Sequence, residues 1–452
     1  MRRRGFHVRP RRAKRQRGIA MLAVITAVAI CLVIVNEFGT ATTIDTMQAR
    51  NNLDQMRAHF LARSSLNLTE LIVRLQRRLD NAPGQAGQMG LGADALASLE
   101  GVQITDFADP LMAAFGGDEE QVQAAIGLSM SQTKGLGSDI GTFGVRITPI
   151  DGKINVNCAG SGTPAEVSLV ARSIQSLLYP VAFDPIFEEP DADGWRRDRR
   201  TQVSAIIDYV DKNQSRIEIR DDKVESTGGP EDYGYENLRD SYKPKNDKLD
   251  SVSELKLVRG VDDRFWTLFG NAFRVQGGCK VNLRGLDDAK VAAAIISLAA
   301  KDPNDAILRD PAALWALANL VLQAPQYGFY FSGQDGLNMF AQFVKDPAAA
   351  FAGFAGAGEE GAQNQPAVPT PPIPNFPPGL KGVELDMQKL GQVAATTAIE
   401  NYQVEAWGEV TRPPFLPARR TIRASWDQEF QNQQARNLQL TRKGAWLYLR
   451  EE

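Results

Sequence analysis

The chain has 452 residues, 43% of them hydrophobic and 23% charged, a globular composition long enough for two or three domains of about 150 residues each. It holds two histidines, His7 and His59, so a Ser-His-Asp or Cys-His site, a His-rich zinc site or a haem ligand would have to use one of them. The net charge of −3 hides nine Arg or Lys and no acid in residues 1–17, which leaves the other 435 residues at −12, and an acidic body argues against nucleic acid as the main partner.

After the basic leader come Gly18 and then Ile19 to Val35, seventeen residues whose only polar member is Thr26. At about 1.5 Å per residue that run is about 25 Å long, enough for a thin bilayer. The basic flank holds the N-terminus in the cytoplasm and puts everything beyond about residue 40 across the membrane. An ordinary secretory signal is the alternative. It would need an A-x-A-like pattern after the apolar core, and Val35-Asn-Glu-Phe-Gly-Thr40 has none.

The helix continues past the membrane. No proline occurs between Pro10 and Pro83, and Leu53, Met56, Phe60, Leu68, Leu71, Leu75 and Leu79 follow three- and four-residue steps. That pattern predicts an amphipathic helix with this apolar face packed on the rest of the protein. Gly39 with Thr40, Thr42, Thr43 and Ile44 predicts a weak or kinked stretch. Asn81-Ala-Pro-Gly84 predicts the end.

At this point the chain resembles the type IV pilins and pseudopilins, whose basic leader ends in a Gly and is cut there by a prepilin peptidase. Arg17-Gly-Ile-Ala-Met-Leu22 matches that site, which implies processing between Gly18 and Ile19. The family usually has Glu as the fifth residue after the cut; here it is Ala23. Lack of that Glu, and large size, are features of the K minor pseudopilins of type II secretion. A carboxylate there would pair with a neighbour's α-amino group inside lipid, where an unpaired charge is costly. A tip subunit has no neighbour above it.

The middle of the chain is similar to the same K family. Phe143 to Asn157 reads as two short strands around an Asp151-Gly152 turn, and Arg172–Tyr179 and Thr201–Val210 as helices. Asp208-Tyr-Val-Asp-Lys-Asn213 opens an acidic, Gly-rich loop reaching Pro230-Glu-Asp-Tyr233, followed by Tyr242-Lys-Pro-Lys-Asn246. Ser253-Glu-Leu-Lys-Leu-Val-Arg-Gly-Val261 and the strand Gly278-Cys-Lys-Val-Asn-Leu283 complete the order. The family usually ends that strand N-x-N-T-A; here it is Asn282-Leu-Arg-Gly285.

Val291–Ala300 and Ala312–Leu322 read as helices, and Pro366 to Pro378 as a polyproline-like spacer or, less simply, a docking peptide. Tyr402–Val410, Thr421–Trp426 and Ala445–Arg450 read as strands. The expected fold is therefore α+β: a long N-terminal helix, an antiparallel sheet and a large inserted helical domain. The expected order is a leader (1–18), the helix (19–83), the first part of the head (84–158) and the insertion (159–278). A return strand and helices (279–345), an Ala/Gly/Pro-rich loop (346–381) and C-terminal strands (382–452) follow.

Two other motifs fail on context. Gly135-Leu-Gly-Ser-Asp-Ile-Gly141 lacks a Gly-Lys-Ser/Thr ending and precedes a strand, whereas phosphate cradling needs a helix N-terminus. Ser253 to Gly260 looks like a helix-hairpin-helix, but four bases against three acids in residues 251–274 make a near-neutral surface. No catalytic residue and no small-molecule substrate is expected. The resemblance implies a non-enzymatic minor pseudopilin of the bacterial inner membrane, single-pass, with a periplasmic head, that primes and caps a pseudopilus. Its implied partners are other minor pseudopilins, the major pseudopilin and prepilin peptidase. A tip pilin of a type IV pilus and a membrane-tethered DNA-binding protein are the alternatives.

Two further expectations concern single sites. Cys158 and Cys279 flank similar strands in a compartment that permits oxidation, and a disulfide between them is expected, with two free buried thiols as the alternative. Cys31 in the membrane helix reads as a small apolar residue. The K resemblance also implies calcium in the inserted domain. Asp211, Asn213, Glu231, Asp232 and Asn246 supply oxygens of a suitable kind, but Arg216 and Asp222 depart from an EF-hand. A solvated acidic loop is the alternative.

Overall fold

The computed structural model describes residues 17–80, 103–108, 112, 141–351 and 382–452, apart from 162, 191–193, 195–197, 221–222, 232–233, 237, 239, 328, 334, 412–415 and 431–443. Residues 1–16 of the leader, the Asn81–Gly84 stop, most of the Gly135–Gly141 motif, Asp222, Asp232 and the Pro366–Pro378 segment lie outside the described residues.

Helix α1 runs without interruption from Arg17 to Asp80. The helix continues through the stretch around Gly39, where the hydroxyls of Thr40, Thr42, Thr43 and Thr46 donate to helix carbonyls three or four residues back. α1 is the one helix among the described residues long and apolar enough to cross a membrane.

The second half of α1 lies on a four-stranded antiparallel sheet in the order β1-β8-β9-β10. These strands are β1 (Thr142–Pro149), β8 (Asn401–Val410), β9 (Ala418–Asp427) and β10 (Ala445–Glu451). Alternation decides which face is covered: Tyr402, Val404, Ala406, Ile422, Ala424 and Trp426 point to the helix and are buried, while their strand neighbours are more exposed.

The face that α1 presents to the sheet is not the predicted one. Asp54, Ala58, Ala62, Ser65, Leu66, Thr69, Ile72, Val73 and Gln76 are buried, whereas Leu53, Met56, Phe60, Leu71 and Leu75 are exposed and Leu68 and Leu79 half-buried. Small residues face the sheet because the backbones approach closely: a Cβ on Gly408 would lie 2.3 Å from the Ala58 carbonyl oxygen. Ser65 Oγ also donates to the Gly144 carbonyl at 2.7 Å. The bulky apolar stripe therefore looks outward.

A second, larger core holds the rest of the head. It contains β2 (Ile154–Asn155), α2 (Pro164–Leu178), α3 (Arg199–Val210), β3 (Ser215–Arg220) and β4 (Lys223–Pro230). Then come α4 (Asp263–Phe269), β5 (Phe273–Arg274), β6 (Val281–Asn282), α5 (Ala289–Ala299), α6 (Pro311–Gln323) and α7 (Gly336–Lys345). α8 (Met387–Val393) and β7 (Ala394–Ala395) lead back to the sheet. The α+β class expected from the sequence is the one found.

Two local readings change. The strands on either side of Asp151-Gly152 do not pair with each other: β1 pairs with β8, and β2 runs parallel to β5. The stretch after Asn213, read as loop, is the β3–β4 hairpin, in which Arg-Ile-Glu-Ile-Arg alternates and buries Ile217 and Ile219.

A buried polar joint ties the two cores together. Asp151 accepts from Arg274 Nη1 (2.5 Å), Asn401 Nδ2 (2.9 Å) and the backbone N–H groups of Glu400 (2.6 Å) and Asn401 (3.1 Å). Arg274 gives its other donors to the carbonyls of Lys153, Gln276, Gly278 and Lys280. Beside it a disulfide joins Cys158 to Cys279, with Cα atoms 5.6 Å apart.

Candidate metal centre

Helix α3 brings the first two acids into place. Asp198 caps its N-terminus, accepting from the Thr201 N–H at 2.9 Å, and the apolar residues Val203, Ile206, Ile207 and Val210 anchor it in the core. Asp208 sits in its last turn and Asp211 is its C-terminal cap. The β3–β4 hairpin then returns the chain so that Glu231, just past β4, meets them. One carboxylate oxygen from each of the three lies within 4.8 Å of the others, and all three residues are buried.

The surrounding bonds divide the oxygens into those in use and those to spare. One Asp208 oxygen accepts the Ile217 N–H at 3.0 Å. Asp211 Oδ2 accepts from Asn213 Nδ2 at 2.7 Å, while Asp211 Oδ1 is buried without a hydrogen bond. Asn246 adopts φ +48°, a left-handed conformation that Asn tolerates. Its N–H donates to the Tyr209 carbonyl and its Nδ2 to the Asn213 carbonyl, both at 3.0 Å, and its Oδ1 is also buried without a partner.

Burial and like charge both act on these acids. Burial pushes the Asp208 carboxyl up to about 8, helped by the charges of Glu231 and Asp211 and opposed by the Ile217 N–H and Arg216. Burial pushes Asp211 up to about 6, opposed chiefly by its bonds with Asn213. A cavity of about 30 Å³, room for about one water, adjoins the group between Ser204, Asp208, Glu231, Tyr235 and Arg259. The donor set is oxygen only, with no imidazole or thiolate, which suits a hard cation such as calcium and not zinc or copper.

Of the five residues singled out in the sequence, Asp211 and Glu231 come together and Asn246 is tied to the same loop. Asn213 takes a supporting position: its side-chain oxygen accepts the Ser215 N–H at 2.7 Å and its amide orients Asp211. Asp232 lies outside the described residues. Asp208 was not among the five. Its signal was present, since Asp208 and Asp211 are three apart and share a face at a helix end, but alternate-position spacing drew attention to 211, 213 and 215 instead.

The geometry belongs to an α+β protein with one long apolar-then-amphipathic helix, a sheet packed on that helix, and a second, largely helical core beside which sits a buried acidic cluster. Residues 152–268, the segment that contains this cluster, match the family model described as type II secretion system (T2SS), protein K. The resemblance to the K minor pseudopilins read from the sequence is thus borne out. A chain in the crystal structure of the GspK–GspI–GspJ complex from the enterotoxigenic Escherichia coli type 2 secretion system is similar at 12% identity and a TM-score of 0.39. That similarity covers 75% of this chain and 94% of that one. No curated protein sequence matches.

Proposed function

We propose that the chain is a non-enzymatic minor pseudopilin that primes and caps the pseudopilus of a type II secretion machine. The observation that carries this is the protein-K match over 152–268 in a chain that also has an apolar, exposed helix long enough to cross a membrane. Ala23 adds support, since it supplies no carboxylate for a subunit above it. In this reading Gly18–Ile19 is the prepilin-peptidase cut, the apolar part of α1 stands in the inner membrane, and the head lies in the periplasm. Its partners are other minor pseudopilins, with the major subunit below. Extraction of the full-length chain in mild detergent tests it: co-purification with the small pseudopilins is expected, and purification alone overturns it.

Calcium completes the proposal. Asp208, Asp211 and Glu231 would hold it, with the Asn246 amide oxygen available to the same loop. The ion would supply the positive charge that three buried carboxylates need in order to be ionised together. It would be structural, fixing the α3 end, the hairpin and the backbone at Asn246 relative to one another.

A further inference from the structure

The disulfide between Cys158 and Cys279 has one sheltered sulfur and one open to attack. Cys158 lies in the core, 5% exposed, whereas Cys279 is half-buried in the run Gly277-Gly-Cys-Lys280, whose other three residues are exposed. Gly278 has nothing within 4 Å of its missing Cβ, so the approach to Cys279 from that side is open. Disulfides are opened by thiolates: the incoming sulfur bonds to one sulfur of the pair, the S–S bond breaks, and the other sulfur leaves with the electron pair. Access therefore selects Cys279 as the sulfur attacked and Cys158 as the leaving group.

A carboxylate stands at that point. Glu166 Oε1 lies 3.4 Å from Cys279 Sγ. Glu166 is in the first turn of α2, where the helix dipole favours negative charge, and Thr163 Oγ1 donates to its other oxygen. The neighbouring cations are engaged elsewhere. Lys280 Nζ donates to the Gly391 carbonyl at 2.5 Å, and Arg274, which donates to the Gly278 and Lys280 carbonyls, is paired with Asp151. During exchange one negative charge is shared over three sulfurs in line, with Cys279 Sγ at the centre. A carboxylate about 6 Å from the incoming sulfur, at an effective dielectric constant of about 40, slows that attack about tenfold. The neutral disulfide and the neutral dithiol carry no such charge, so the barrier rises in both directions and the equilibrium stays where it was.

We propose that Glu166 is an electrostatic guard of this disulfide, slowing the attack of anionic thiolates on Cys279. The full-length chain in uncharged detergent is treated with cysteamine, 2-mercaptoethanol or 2-mercaptoethanesulfonate, whose second groups are cationic, neutral and anionic. Alkylation and mass spectrometry of the Cys158 and Cys279 peptides follow the reaction. The first adduct is expected on Cys279, with Cys158 released as a thiol. A second external thiol then frees Cys279, so two external thiols end as one disulfide. Each rate is divided by that thiol's rate on a small neutral disulfide. On this scale cysteamine is expected to outpace 2-mercaptoethanesulfonate at least about tenfold. Glu166→Gln should remove most of that preference by speeding the anionic thiol, and Glu166→Asp, which keeps the charge, should retain it. Salt at about 1 M, where screening acts over about 3 Å, should shrink the preference in the wild type. The equilibrium with a dithiothreitol redox pair should be the same in wild type and Glu166→Gln; a shift there alongside the rate would mean that Glu166 acts by packing, and overturns the guard. A charge preference that survives Glu166→Gln, or first adducts on Cys158, overturns it too.

Discussion

Gly408 of β8 sits so close beneath Ala58 of α1 that an added Cβ would lie 2.3 Å from the Ala58 carbonyl oxygen and 2.6 Å from the Ala62 amide nitrogen. The atoms in the way are backbone, which cannot rotate aside. Helix and sheet must then separate, and the small-residue face of α1 loses its contacts.

Gly408→Val is therefore expected to destabilise the head by about 3 kcal/mol, at the upper end for overpacking a core. Gly391 in α8 is the contrasting case, with nothing within 4 Å of its missing Cβ. Gly391→Ala should stabilise by about 0.5–1 kcal/mol through helix propensity. Urea unfolding of the purified chain in detergent compares the two; equal effects would contradict the close approach.

The Asp151–Arg274 joint gives a second contrast. Arg274→Met leaves the Asp151 carboxylate buried with only part of its donors, a loss of about 3–5 kcal/mol. The exposed Arg220–Glu218 pair on β3 should matter far less, with Arg220→Met costing at most about 1 kcal/mol. A denaturation midpoint for Arg274→Met no lower than for Arg220→Met would show that the joint does not hold the two cores together.

The helices and the long C-terminal strands were legible because their patterns are local. Val291–Ala300 falls on α5 and overruns its end by one residue, Ala312–Leu322 falls inside α6, and Tyr402–Val410 and Thr421–Trp426 fall inside β8 and β9. The partner choices were not. β1 lies next to Asp151-Gly152 yet pairs with a strand some 250 residues away, and no turn signal encodes that. The outward stripe on α1 misled for a related reason: periodicity shows that one face is apolar, not whether the protein or a partner covers it. Asp208 escapes a search for alternate-position oxygens because it lies inside α3, three residues before Asp211, and joins the cluster only through the shared helix end.

Processing follows from the leader and helix alone. N-terminal sequencing of the mature chain is expected to begin at Ile19, and Gly18→Val should block the cut, because a Cβ obstructs the extended backbone a peptidase must draw into its site. A mature start near residue 40 would mean removal as an ordinary signal peptide.

The acidic cluster predicts a pH dependence whose sign is fixed. The folded Asp208 carboxyl is raised to about 8 from 3.8, and Asp211 to about 6. Between about pH 4 and 8 the native state therefore holds protons that the unfolded chain has released, and stability falls as pH rises through that window. In chelator-stripped protein the melting temperature should drop from pH 5 to pH 8, and Asp208→Asn, which keeps the shape and removes the charge, should flatten part of that slope. Asp287, Glu400 and Asp427 are raised in the same direction by burial, so the difference between wild type and Asp208→Asn is the informative quantity. Calcium should reverse the trend by favouring the ionised carboxylates, raising the melting temperature more at pH 8 than at pH 5. It should do so much less in Asp211→Asn and Glu231→Gln. An apo slope that Asp208→Asn leaves unchanged would sink the coupling of these three carboxylates, and no calcium shift at millimolar concentration and pH 8 would sink the metal.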